Sequence, residues 1–155
     1  MTSAQRRRRS CRRRDPRGAA AVEFAIVSLL LITILFGILQ YAVFFWSLQS
    51  GAHAAREAAR QAAVGELDCA ALDSAATDNA RGTTGAVTVG RTYYSDTGMT
   101  SEVSPAVIGG VVRVTVTFDA INLNFPFLPL PNGGQVSEHG VARVENVTAN
   151  SVSCS

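Results

Sequence analysis

Residues 24–46, running from Phe24 to Trp46, read FAIVSLLLITILFGILQYAVFFW and contain no charged side chain. Those 23 residues make about 34 Å of helix at the usual rise, enough to cross a hydrocarbon core of roughly 30 Å with some tilt. A core helix of a soluble protein is rarely apolar on every face over such a length. The stretch is read as a membrane span.

Charge then sets the orientation. Residues 1–17 hold eight arginines (Arg6, Arg7, Arg8, Arg9, Arg12, Arg13, Arg14 and Arg17) against Asp15, a net +7; the rest of the chain holds six arginines against eleven acids, a net −5. A basic block beside a span stays on the cytoplasmic side, so the N-terminus is expected inside and the C-terminus outside. The same arginines suit anionic lipid headgroups. Phosphate neutralisation on nucleic acid would need similar charge, but no aromatics are interleaved, and nucleic acid is not an expected partner.

The chain divides into four parts. Residues 1–18 form a basic cytoplasmic leader, too charged to fold alone, with Pro16 placed to open a helix. Residues 19–46 form the transmembrane helix and 47–64 its continuation, SLQSGAHAAREAARQAAV. There the alanine pairs 54/55, 58/59 and 62/63 recur every four residues and occupy one narrow face. That face suits either packing against other helices or covering the chain's own sheet. Gly65 is placed to stop the helix.

Residues 65–155 are expected to fold as a small α+β domain. A short helix is expected over Cys69–Ala80, ahead of Arg81-Gly82. Period-two alternation follows at Val87, Val89, Arg91 and Tyr93, and most clearly at Val112, Val114, Val116 and Phe118. A third, weaker strand is expected between Val141 and Val147. The whole reads as an α+β membrane protein: a long N-terminal helix continuing into an antiparallel sheet of about three or four strands. Between the last two strands runs Phe125-Pro126-Phe127-Leu128-Pro129-Leu130-Pro131, whose prolines exclude a central strand. It is either a cross-over packed under the sheet or a loop that docks on the bilayer or a neighbouring subunit.

Topology also sorts the cysteines. Cys11 lies on the reducing side, a free thiol or an acylation site. Cys69 and Cys154 lie outside, where disulfides persist; a bridge between them would constrain the unfolded chain by roughly 4 kcal/mol, valuable to a domain with so small a core. For catalysis the sequence offers little. His53 and His139 stand in no metal-ligand spacing, and His53 with Glu57, one turn apart, makes a poor two-ligand site. There is no phosphate-binding glycine loop and no nucleophile elbow. The Asn146-Val147-Thr148 sequon is a common chance match. No enzymatic activity, cofactor or small-molecule substrate is expected.

The junction Arg17-Gly18-Ala19-Ala20-Ala21-Val22-Glu23-Phe24 is the most informative stretch. An acid inside an uncharged span costs roughly 2.5–3.5 kcal/mol at its centre, less near an interface, and marks a functional residue by default. The plain alternative is a carboxylate that reaches the interface to neutralise Arg17 or faces the helix N-terminus. Glycine, four residues, glutamate and an aromatic form the junction pattern of type IV-like prepilins. With the span and AAREAARQAAV behind it, the chain resembles the TadE-like family, pilin-like proteins of the tight-adherence (Tad/Flp) pilus system. The strand Val111–Phe118, the Pro-rich connection and Gly140–Glu145 resemble that family's C-terminal half less specifically.

The resemblance implies a minor pilin or pseudopilin of a bacterial cytoplasmic membrane, possessing one span. A prepilin peptidase would cut between Gly18 and Ala19, and Glu23, followed by Phe24, would pair with the new N-terminus of a neighbouring subunit. Its implied partners are other pilin-like subunits, Tad inner-membrane assembly proteins and membrane lipids. Two departures stand out: a sizeable sheet domain, unlike the very short major Flp pilins, and Ser28-Leu29-Leu30 where many family members carry a proline. Two other readings of the chain remain: a signal-anchored envelope protein with a binding role of its own, and a secreted domain cut after Ala52-His53-Ala54.

Overall fold

The computed structural model describes residues 16–65, 67–80, 83–125 and 128–154. The arginines from Arg6 to Arg14, Cys11 and the side chain of Arg17 lie outside the described residues, as does the Pro126-Phe127 pair.

Helix α1 spans Pro16–Ala63 without interruption, as an alanine- and leucine-rich sequence without internal proline favours. Its two parts belong to different compact units, residues 1–36 and residues 37–155. In the first, the apolar side chains stand open: Phe24 is 74% exposed and Leu29 68%. An eighteen-residue window of the helix reaches a mean hydropathy of 2.6 with none of it buried within the protein. That combination fits membrane anchoring, since water would oppose so much exposed hydrocarbon.

In the second unit, α1 supplies one stripe to a hydrophobic core. Gln40, Phe44, Ser47, Gly51, Ala54, Ala55, Ala58, Ala59 and Ala62 are all buried, and they recur at the three- and four-residue spacing of a single helical face. The alanine face is thus taken by the chain's own sheet. The helix stops where expected, with Gly65 at a φ of +71° and its N–H donating to the Ala62 carbonyl at 3.2 Å. Helix α2 covers Cys69–Asn79, and the Asp68 carboxylate caps it by accepting from the Ala71 N–H at 2.8 Å.

Four strands follow: β1 (Thr83–Tyr94), β2 (Glu102–Val103), β3 (Val111–Ala120) and β4 (Gln135–Arg143). They form one antiparallel sheet in the order β2-β1-β3-β4. Val112, Val114, Val116 and Phe118 of β3 point into the core, and Arg113, Thr115 and Thr117 alternate with them on the other face.

The last strand corrects the expectation of one at 141–147. It occupies Gln135–Arg143, and from Val144 the chain leaves the sheet. Its inward positions after Val136 are Glu138, Gly140 and Ala142, so the alternation of large apolar residues that marks a strand is missing. The reason is steric. A Cβ placed on Gly140 would meet the Ala55 carbonyl group and lie 2.6 Å from the Arg56 nitrogen, so the helix backbone touches the strand directly. Opposite the neighbouring turn the sizes reverse, and a Cβ on Gly51 would lie 2.8 Å from Phe118 Cε1.

Gly140→Ala should therefore lower the stability of the detergent-solubilised chain by about 1–3 kcal/mol, because backbone cannot move aside as a side chain can. Gly90→Ala, whose added Cβ would meet only the Cys154 carbonyl at 3.9 Å, should be far milder. Denaturant melts of the two variants side by side test the contact; equal midpoints would sink it.

Candidate functional site

The junction residues lie on the first turns of α1. Gly18 and Ala19 fall in the first described turn of α1, after Pro16. A Cβ on Gly18 would meet nothing within 4 Å, so its own fold does not require glycine at that position. Glu23 sits four residues after Ala19, one turn along the same face, and both are exposed. Phe24 is exposed as well. The structure thus displays Gly18, Ala19, Glu23 and Phe24 together on an accessible helix.

The Cys69–Cys154 disulfide is formed. It joins the first residue of α2 to a C-terminal segment that pairs with β1 on the side where β2 covers only Tyr93 and Tyr94: the Arg91 N–H donates to the Cys154 carbonyl at 2.7 Å, and the Cys154 N–H to the Arg91 carbonyl at 2.9 Å. An open cavity of about 360 Å³ lies beside it, lined among others by Asp73, Val87 and Thr88.

The same corner holds a residue whose role the strand pattern concealed. Arg91 is fully buried. Its guanidinium donates to the carbonyls of Leu67 at 2.9 Å, Asn150 at 2.8 Å and Val152 at 2.9 Å, and contacts Cys69 Sγ at 3.5 Å. Its ring neighbour is Tyr93, 5.6 Å from the guanidinium carbon. Burial raises the Tyr93 phenol above its ordinary range, and its hydroxyl donates to the Ala62 carbonyl at 3.1 Å. Arg91 and Tyr93 thus link β1 to the end of α1, to the connection into α2 and to the C-terminus. An arginine among period-two hydrophobics was the available signal for this cluster.

Glu57 is engaged by neighbours other than His53. It accepts from Arg60 at 2.7 Å and from Gln61 at 2.9 Å, and those hydrogen bonds lower its pKa to about 2. The stabilisation is present above the ordinary carboxylate range and fades as pH falls toward 2. Among the described residues no group of three or more His, Cys, Asp or Glu side chains is placed to hold a metal. His139 is exposed on the outer face of β4. Asn146 uses its side-chain amide to donate to the Val64 carbonyl at 3.2 Å.

A second polar anchor lies lower on α1. Gln40, 1% exposed, donates through Nε2 to the Ile121 carbonyl at 3.3 Å and accepts at Oε1 from the Leu123 N–H at 2.9 Å. The Tyr41 hydroxyl donates to the Pro129 carbonyl at 3.0 Å. The described part of the connection between β3 and β4 is therefore strapped along residues 37–41 of α1.

A family model described as TadE-like protein matches residues 18–60. The match begins at Gly18 and includes Glu23, Phe24, the apolar helix and most of the alanine face. No curated protein and no solved structure matches the chain.

Replacing Arg91 with lysine keeps a charge but not the fork that reaches three carbonyls. Arg91→Lys should destabilise the oxidised chain by about 2–4 kcal/mol, read from denaturant midpoints at constant pH. A midpoint within error of the parent would remove Arg91 from the centre of this corner.

Proposed function

We propose, from the premise that residues 18–60 are a TadE-like segment, that this chain is a minor pilin-like assembly component of a Tad (Flp) pilus. The observation that carries the reading is the coincidence of the family match with an exposed apolar helix that bears Gly18, Ala19, Glu23 and Phe24 near its start and carries no Asp, Glu, Lys or Arg over the 32 residues from Phe24 to Ala55. The role is structural and not catalytic. The basic leader stays in the cytoplasm and the folded domain lies outside, a placement that the Cys69–Cys154 disulfide supports.

On this reading a prepilin peptidase cuts between Gly18 and Ala19. The cut removes the arginines and leaves an ammonium at Ala19. Glu23 then pairs with the N-terminus of a neighbouring pilin-like subunit, and the pairing offsets part of the burial of both charges while setting register. Contacts with Tad inner-membrane proteins and other subunits fall to the exposed early turns of α1, because the alanine face beyond Gly51 is occupied by the sheet.

The fold bears on the alternatives. Secretion with a cut after Ala54 would remove Phe44, Ser47 and Ala54, all buried in the core, and would leave the sheet without half its covering helix. A signal-anchored envelope protein keeps the fold intact but leaves the Gly18–Phe24 pattern without a purpose.

N-terminal sequencing of membrane-extracted protein from a host with the pilus system should find a chain starting at Ala19; a chain still starting at Met1 would exclude the N-terminal pairing. Glu23→Ala should insert and fold normally, with a parental denaturant midpoint, yet lose crosslinks to partner subunits. Undiminished crosslinking would reduce Glu23 to an interfacial charge.

A further inference from the structure

Two stretches of this chain carry no Asp, Glu, Lys or Arg over a long run: residues 24–55, between Glu23 and Arg56, and residues 120–137, between Asp119 and Glu138. The fold brings them side by side. Gln40 holds Ile121 and Leu123, Tyr41 holds Pro129, and Leu128 Cδ2 lies 3.6 Å from where a Cβ on Gly37 would stand. The outward side chains at this level are uncharged, and four of them are large and apolar: Leu39 is 46% exposed, Leu123 42%, Phe45 57% and Trp46 51%, with the exposed amides of Asn122 and Asn124 beside Leu123.

Helix length then says what covers them. From Ala19 to Leu39 the helix supplies about 31 Å, close to the roughly 30 Å of a hydrocarbon core. A span that begins at Ala19 reaches the far bilayer surface at the turn to which the connection is strapped. The connection is also chemically fit for that depth. Pro129 and Pro131 have no N–H to leave unsatisfied; the Leu128 N–H donates to the Phe125 carbonyl at 3.4 Å; Gln40 and Tyr41 satisfy further backbone groups. Irregular backbone near lipid persists only when its polar groups are satisfied in this way. Tyr41 and Trp46 are the residue types that favour the interface.

We propose that residues 121–125 and 128–130, together with Leu39, Phe45 and Trp46, form a collar that docks on the lipid bilayer crossed by the helix. It rests in the headgroup and upper acyl region, and so seats the folded domain directly on the membrane. Because the collar is uncharged, docking is by apolar burial and needs no anionic lipid. The inference rests on the reading of α1 as a membrane span, here narrowed from residues 19–46 to residues 19–39 because Gln40 and Phe44 are buried in the domain.

The test uses the full chain with Cys11→Ser, reconstituted in phosphatidylcholine vesicles and left oxidised, so that an added cysteine is the reactive thiol. A nitrobenzoxadiazole label at Leu123→Cys should be quenched by lipids with a nitroxide high on the acyl chain. It should be severalfold less accessible to aqueous iodide than the same label at Thr97→Cys, an exposed site. Trp46, the single tryptophan, gives a label-free check on the parent chain and should be quenched by brominated phosphatidylcholine. Equal iodide access at 123 and 97, or an unquenched Trp46, overturns the collar. Shielding that appears only at high protein-to-lipid ratio also overturns it and assigns the surface to a neighbouring subunit. A carbonate wash separates the two readings: protein stripped from the vesicles overturns the anchor itself, whereas retained protein with an accessible position 123 overturns the collar alone.

Discussion

The domain depends on how closely α1 approaches its sheet. Ala54, Ala55, Ala58, Ala59 and Ala62 present almost no side chain, and Gly140 presents none, so the Ala55 backbone meets the β4 backbone. Close packing of this kind leaves little room for volume change on either side. It also explains the distribution of sizes on the sheet: valines and Phe118 fill β3, where the helix offers Gly51 and alanine, while β4 thins to glycine and alanine where the helix bears down. The same small residues are the best helix formers, so one composition serves both the helix and its fit.

That approach leaves the end of α1 and the C-terminal segment to be held by polar contacts, and Arg91 holds them. A guanidinium in a core is costly unless its donors are met, and here the acceptors are main-chain carbonyls from residues 67, 150 and 152. They belong to segments without regular secondary structure, whose carbonyls have no ladder partner to satisfy them. The disulfide closes the same corner covalently. Arg91 supplies geometry in the folded state, and the bridge restricts the unfolded one.

Much of this was readable from residue patterns. The apolar run, the alanine pairs, the stop at Gly65, the helix after Cys69 and the strand through Val112–Phe118 each follow from a periodicity or a propensity, and each lies where expected. The pairing of Cys69 with Cys154 followed from compartment and domain size. What sequence did not reveal is tertiary. The β4 strand was placed too late because its inward positions are occupied by small residues chosen for the helix's approach. The Glu102–Val103 strand is too short for any alternation to show. Arg91 looked like an odd member of an apolar face because its acceptors are backbone atoms, which have no sequence signature. The Gly18–Phe24 junction is the opposite case: its residues were plain in the sequence, and the fold adds their exposure and their place in the first turns.

The uncharged runs at 24–55 and 120–137 show how both kinds of information combine. Separately, the first reads as a span and the second as a proline-rich connection. Their contact through Gln40 and Tyr41 makes them one surface. A glutamine buried in a helix that faces lipid would be expensive; a glutamine at the level where the domain begins is satisfied on both its oxygen and its nitrogen. On the proposed membrane reading, Gln40 marks the point at which α1 stops answering to lipid alone and begins answering to its own domain. The charges resume at Arg56, Asp119 and Glu138, in the part of the domain farther along the helix, where water is the solvent their ionised groups require.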